Sequence, residues 1–294
     1  MRMLLALAAS LLLLPPQAGA QDDAARLPDA LIEEYRFGSF SDATALSVDA
    51  FGAVYVVDGG DATVRKFDLR GSMAAEVGGP GWDDTQFDRP AGIDARLGVA
   101  VYVADYGNNR VSRFDRGLRF MATLRGDEMT GDRAFGYPLD VANSSLEQMF
   151  ILDGENNRVL ALSGFRSVER TFGGIESGEG QLSDPVALAT DDSRHLYVLE
   201  AGRVVTFDLF GNFLFHFGSG HFSDAEGITV YGGMVLVVTP DALHFFSSRG
   251  EHRRSVTRTE MVLAGESGAF RDAAYTAPFL LILTQQSCIL FPNN

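Results

Sequence analysis

The segment VYVADYGNNRVSRFD, Val101 to Asp115, ends a β-branched and aromatic run in an acid, turns through Gly-Asn-Asn and leaves through Arg-Val. A near copy, MFILDGENNRVLALS, starts at Met149, and a fainter one, VYVVDGGDATVRKFD, at Val54. Self-similarity at a fixed period constrains a fold more than any single motif, because each copy must be one supersecondary unit stacked on the next. Aligned on the terminal acid, the units begin at Ala43, Pro90, Pro138, Pro185, Ala225 and Ala273, in steps of 47, 48, 47, 40 and 48 residues.

Each unit opens with a short strand such as AGIDA or VALAT and continues through a run such as AVYVAD or HLYVLE. After a turn it enters a third strand such as RVSRF or RVVTF, and a fourth follows, of which GNFLFHFG is the clearest. In that segment Phe213, Phe215 and Phe217 share one face while Leu214 and His216 share the other, as a strand sandwiched between neighbours requires. Four short strands per 40 to 50 residues predict an all-β, six-bladed β-propeller of four-stranded antiparallel blades. The sixth unit, AYTAPFLLILTQQSCILFPNN, holds only three strands before the chain ends, so LIEEYRFGSF, Leu31 to Phe40, is expected to supply the missing outer strand and close the ring.

The opening segment is first a hairpin closure. Gly and Asn accept the positive φ of a tight turn, the strand-end carboxylate can accept hydrogen bonds from turn amides, and the arginine can pair with it. Asp58, Asp105, Asp153 and Glu200 hold the acid position in four units, with Arg110 and Arg158 following two of them; Thr239 and Thr284 replace the acid in the last two.

PAGIDARLGVAVYVADYGNNRVSRFD from Pro90 and PLDVANSSLEQMFILDGENNRVLAL from Pro138 resemble the NHL-repeat family of β-propellers in its six-bladed, exported bacterial form, with weaker copies from Ala43 and Pro185. The resemblance implies the propeller fold and leaves the activity open. Enzymatic six-bladed relatives imply either a carboxylate and amide cluster around a divalent metal, as in lactonase-like members, or a multi-histidine zinc site, as in amidating-lyase-like members. The WD pair at Trp82 falls in a loop between units and belongs to the chain's single tryptophan, so it does not signal WD repeats.

MRMLLALAASLLLLPPQAGA combines a basic start, a short apolar run and an Ala-Gly-Ala exit, the order of a cleaved export signal. The expected organisation is a signal peptide at 1–20, a linker at 21–30 and the propeller at 31–294, with a periplasmic or extracellular location and no membrane anchor after cleavage. Removing Arg2 leaves 23 basic and 39 acidic residues, a mature net charge of 23 − 39 = −16, which repels phosphate backbones and argues against a nucleic-acid partner. Cys288 is the only cysteine and excludes an internal disulfide.

Propeller ligands sit at the channel mouths or on loops. Near the starts of the inner strands, Thr44, Asp140, Glu226 and Tyr275 are the polar residues able to face a small polar ligand or a cation. The strand-end acids are also candidates for a divalent cation such as calcium, which prefers oxygen ligands; no other cofactor is expected. His195, His216, His221, His244 and His252 fall on second or later strands or on loops, away from the inner strands where a channel zinc site would need three or four ligands. With no nucleophile elbow or phosphate loop present, the expectation is a non-enzymatic scaffold binding a protein, peptide or glycan through loops on one face. A metal-dependent lactonase or lyase in the channel, built around Asp140 and Glu226, is the alternative.

Overall fold

The computed structural model describes residues 30–191, 194–265 and 268–292. The expected signal peptide and all of the linker but its last residue lie outside the described residues.

A short strand, β1 (Tyr35–Phe37), precedes blade one, which runs β2 (Ala43–Val48), β3 (Val54–Asp58), β4 (Thr63–Phe67) and β5 (Met73–Gly78). Blade two holds β6 (Pro90–Asp94), β7 (Val101–Asp105), β8 (Arg110–Phe114) and β9 (Phe120–Arg125). Blade three follows with β10 (Pro138–Asn143), β11 (Gln148–Asp153), β12 (Arg158–Ser163) and β13 (Ser167–Phe172). Blade four is β14 (Pro185–Thr190), β15 (His195–Glu200), β16 (Arg203–Asp208) and β17 (Phe213–Phe217), and blade five is β18 (Gly227–Tyr231), β19 (Met234–Thr239), β20 (Ala242–Ser247) and β21 (His252–Thr257). The last blade is built from β22 (Phe270–Thr276), β23 (Phe279–Thr284) and β24 (Cys288–Pro292).

All six sheets are four-stranded, and in the sixth the order is β1-β24-β23-β22. The N-terminal strand therefore closes the ring as expected, with Tyr35 opposite Leu290, Arg36 opposite Ile289 and Phe37 opposite Cys288. This pairing covers a sheet edge that would otherwise offer unpaired backbone groups.

Period-two alternation explains how the blades stack. In β11, Met149 and Ile151 face blade two while Phe150 and Leu152 face blade four. The same rule sends Val54 and Val56 of β3 toward blade six, and Tyr55 and Val57 toward blade two. The buried apolar residues accordingly form six clusters, one in each seam between neighbouring blades.

The register corrects the start of the last unit. Phe270 pairs with Thr284 as Ala43 pairs with Asp58 and Pro90 with Asp105, so unit six begins at Phe270 and not at Ala273. The shift moves Asp272, unremarked in the sequence, onto the channel and pushes Tyr275 to the far end of its strand.

Candidate functional site

The six inner strands β2, β6, β10, β14, β18 and β22 line a central channel whose free volume is only about 120 Å³. Ligand pockets run to about 300–1,000 Å³, so this space suits an ion or a few waters. Two faces follow from the strand direction: a start face, where inner strands begin and blade-to-blade loops lie, and an end face, where they finish. All four expected channel residues line the space, but they do not converge. Thr44 and Glu226 stand at the start mouth, where Thr44 Oγ1 donates to the Pro90 carbonyl at 3.3 Å and Glu226 accepts from Arg271 at 3.1 Å. Arg271 also reaches Asp42 at 3.4 Å. Asp140 lies deeper, and Tyr275 stacks on Tyr231 near the other end, with ring centroids 4.3 Å apart.

The corrected register reveals an internal symmetry. The third inner-strand positions of blades two to four are Gly92, Asp140 and Ala187, and those of blades five, six and one are Gly227, Asp272 and Ala45. Glycine is required beside each acid, because a Cβ on Gly92 would lie 2.2 Å from Asp140 Oδ1 and one on Gly227 would lie 2.7 Å from Asp272 Oδ1. Each acid splits its oxygens between two blades. Asp140 accepts from Val141 N at 2.8 Å and from Leu188 N at 2.9 Å in the next blade, and Asp272 accepts from Ala273 N and Leu46 N, both at 2.8 Å. Burial raises both carboxyls, to about 7 for Asp140 and about 8 for Asp272, against the opposing pull of those amides.

A second pair of staples sits nearer the end face. Ser47 Oγ accepts from Ala95 N at 3.0 Å, and Asp94 accepts from Asn143 N at 2.6 Å. Arg96 closes that mouth: its Nε donates to Asp94 at 3.1 Å, and its two terminal nitrogens reach the Asn143 carbonyl of blade three at 2.9 Å and the Thr190 carbonyl of blade four at 3.2 Å. Asp94 ends β6 and Arg96 lies in the turn after it, both beyond the first positions of the unit, where the polar channel candidates were expected.

The strand-end acids form a third layer, on the start face. Asp58 accepts from Ser41 N and Asp42 N at 2.9 Å and from Arg65 at 3.1 Å. Asp105 accepts from Asp88 N, the Asn108 side chain and Arg110 Nε, each at 2.8 Å. Asp153 takes Gly136 N at 3.2 Å and both Asn156 Nδ2 and Arg158 Nε at 2.9 Å, while Glu200 takes Ser183 N at 2.5 Å and the Arg203 guanidinium. The arginines then reach the preceding blade-to-blade loop. Arg110, wholly buried, donates to the carbonyls of Trp82 at 3.1 Å, Asp83 at 2.9 Å and Gln86 at 2.5 Å, and Arg158 to that of Ala134 at 2.7 Å.

These anchors hold an exposed ridge. Trp82 is 79% exposed although its backbone is fixed by Arg110, and Tyr137, held by the bond from its N–H to Asn109 Oδ1 at 2.7 Å, is 42% exposed. The Tyr106 and Tyr137 rings lie 5.1 Å apart, and the Arg89 guanidinium sits 4.9 Å over Tyr106. Arg89, Asn109 and Tyr137 all take positive φ, at 52°, 49° and 49°, Asn109 as Ala62 and Asn157 do at the same turn of blades one and three. The Gly-Asn-Asn-Arg turn thus serves the face as well as the blade.

His221 stacks on His252 at 4.3 Å, and His252 and His244 both contact Ser255 Oγ at 2.8 Å, at the outer part of blade five. Burial lowers His244 and His252 below the usual imidazole range. Among the described residues no three His, Cys, Asp or Glu are arranged to hold a metal ion. The channel residues do not fit one either, since Asp140 and Asp272 spend both oxygens on backbone amides and Glu226 pairs with Arg271.

No protein-family model matches the chain. Among solved structures it is similar to a catalytically inactive virginiamycin B lyase from Staphylococcus aureus with quinupristin, at TM-score 0.63 and 10% identity, covering 87% of this chain and 98% of that one. A streptogramin B lyase gives 0.64 and 11%, covering 88% and 97%. A gluconolactonase from Xanthomonas campestris gives 0.65 and 12%, covering 87% and 88%. At these identities the likeness is one of fold.

Proposed function

We propose that the chain is an exported, non-enzymatic propeller of NHL type that binds a protein, peptide or glycan through the start face of blades two and three. The carrying observation is the ridge of Trp82, Arg89, Tyr106 and Tyr137, residue types that dominate binding energy in recognition surfaces, held on loops by Asn109 and Arg110. NHL membership rests on the two Asn-Asn-Arg-Val repeats, and export on the N-terminal pattern. The test is to probe glycan and random-peptide arrays with the purified protein and with the Trp82→Ala/Tyr137→Ala variant. Binders lost in a variant that unfolds at the same temperature support the reading; binders retained by it overturn the assignment of this face.

A lactonase or lyase working at the channel is the second reading, without the metal that these carboxyls do not fit. It is supported by the activities named for the similar structures and by two buried channel carboxyls that hold protons near neutral pH. Turnover of a lactone or of quinupristin, abolished by Asp140→Asn, would favour it over the first.

A further inference from the structure

The seam between blades two and three holds a cavity of about 470 Å³ at the end face, a volume in the range of small-molecule pockets. Comparison with the other seams shows why it is open. In blades one, two and four the second strand carries an equivalent tyrosine, Tyr55, Tyr102 or Tyr197, facing the next blade. The Tyr55 hydroxyl donates to the Arg116 carbonyl of blade two at 3.1 Å, and the Tyr197 hydroxyl to the Ser248 carbonyl of blade five, also at 3.1 Å. Gly164 occupies that same hairpin position in blade three, yet the Tyr102 hydroxyl makes no hydrogen bond among the described residues.

The acid of the seam is missing too. Asp49, just past the end of β2, lies 3.2 Å from the same Tyr55 hydroxyl, whose one proton it shares with the Arg116 carbonyl, and pairs with the Arg116 guanidinium at 3.1 Å. Asp191 stands at the corresponding position of blade four, where it binds His195 at 2.6 Å. By strand register blade two has Arg96 there, and that side chain turns into the channel instead. Three polar groups of the residues lining the cavity are left without protein partners: the Tyr102 hydroxyl and, closed off from solvent, the Nε of Arg113, whose guanidinium lies 5.7 Å over the Tyr102 ring, and the Oγ of Ser144. Orphaned groups of this kind cost free energy unless something pairs with them.

The charges and apolar surface define what would fit. Arg96 is engaged with Asp94, so the remaining charges of the lining are the two cations of Arg113 and Arg166 and the one exposed carboxylate of Glu147. Phe165, packed 5.6 Å from Tyr102, and the exposed Leu97 and Val99 supply an apolar wall. We propose that this seam is a binding site for a small aromatic carboxylate. Its carboxylate takes the place of the missing seam acid, accepting from the Arg113 guanidinium and the Tyr102 hydroxyl, and its ring lies against Phe165 and the Leu97–Val99 hairpin. The site is on the opposite face from the Trp82 ridge and does not depend on it.

The test is calorimetric titration of the full chain with phenylacetate, with 2-phenylethanol as the uncharged analogue and inorganic phosphate as the anion without a ring. Saturable one-to-one binding of phenylacetate is expected, weakened about tenfold or more in Arg113→Gln, because hydrogen bonds to charged groups carry about 1.5–3 kcal/mol. The analogue 2-phenylethanol is expected to bind at least about tenfold more weakly for the same reason. Phe165→Ala gives the same comparison if Arg113→Gln fails to fold. Absence of saturable phenylacetate binding, equal binding by all variants, or binding of phosphate without phenylacetate would each overturn the proposal.

Discussion

Asp140 and Asp272 occupy the same inner-strand position three blades apart, and each carboxyl group joins its own strand to the next around the channel. Each is flanked on its other side by a glycine that leaves room for it. The channel is therefore organised as two halves of three blades, and its polar groups serve the ring before they serve any ligand.

That arrangement gives stability a particular pH dependence. The folded carboxyls are raised by burial to about 7 and about 8, above the 3.8 of an exposed aspartate, so the folded state holds protons that the unfolded state has lost. Their contribution is complete below about pH 4 and declines as pH rises through the folded values. His244 and His252 act in the opposite sense, being lowered, and favour folding as pH rises to about 6.5. Above that the carboxyls pull stability down, and the Cys288 thiol, also raised by burial, adds to the fall toward pH 8.5. Denaturant titrations are expected to show stability falling from pH 6.5 to 8.5, with a smaller fall in Asp140→Asn/Asp272→Asn; an unchanged slope in the double variant would refute the assignment.

Crowding at the flanking glycines is open to a direct check. Gly92→Ala places a methyl group against Asp140 Oδ1 and Asp140 Cα, where the neighbouring strand cannot retreat without losing its bond to Leu188. A cost of about 1–3 kcal/mol is expected, as for overpacking elsewhere. Gly233→Ala is a useful control, since nothing lies within 4 Å of its Cβ position and only its φ of +75° opposes the change. Equal midpoints for wild type and Gly92→Ala would show that the strands can shift.

Ring closure rests on few residues. Leu31, Phe37 and Phe40 are buried, the first in the seam of blades five and six and the others in that of six and one. Phe37 packs 5.4 Å from Phe67 of blade one, so a side chain from the N-terminal segment bridges the first and last blades. Phe37→Ala is expected to cost about 3–5 kcal/mol. Deleting residues 31–40 should cost more and expose the edge of β24 to intermolecular pairing, visible as concentration-dependent association in sedimentation.

The blades were legible because every unit repeats one strand-turn-strand grammar, and ring closure followed from counting strands in the last unit. The start of that unit was not. Thr284 stands where four of the other hairpins carry an acid, no proline marks the inner strand, and Ala273-Ala274 resembles the small pairs that open other units, so the register of Asp272 is not marked in the sequence. The seam cavity was hidden for a different reason. Tyr102, Arg113 and Ser144 are unremarkable residues singly, and their lack of partners shows only when equivalent seams are compared in register. Exposure is likewise not written locally, and Trp82 reads as a loop residue whether its ring is out or in.

Trp82 also makes the strand-end acids separable by experiment. Arg110 is wholly buried between Asp105 and three carbonyls of the Trp82 loop, so Asp105→Ala leaves a buried cation without its counter-charge, a loss of about 3–5 kcal/mol. Arg158 is partly exposed and anchors the Ala134 loop instead, so Asp153→Ala is expected to cost less, about 1–3 kcal/mol. The milder Asp105→Asn keeps the shape and one acceptor but loosens Arg110, and with it the loop bearing the chain's single tryptophan. Fluorescence anisotropy of Trp82 should therefore fall in folded Asp105→Asn and stay at the wild-type value in Asp153→Asn. A fall of equal size in both, or in neither, would mean that the Asp105–Arg110 pair does not position the ridge.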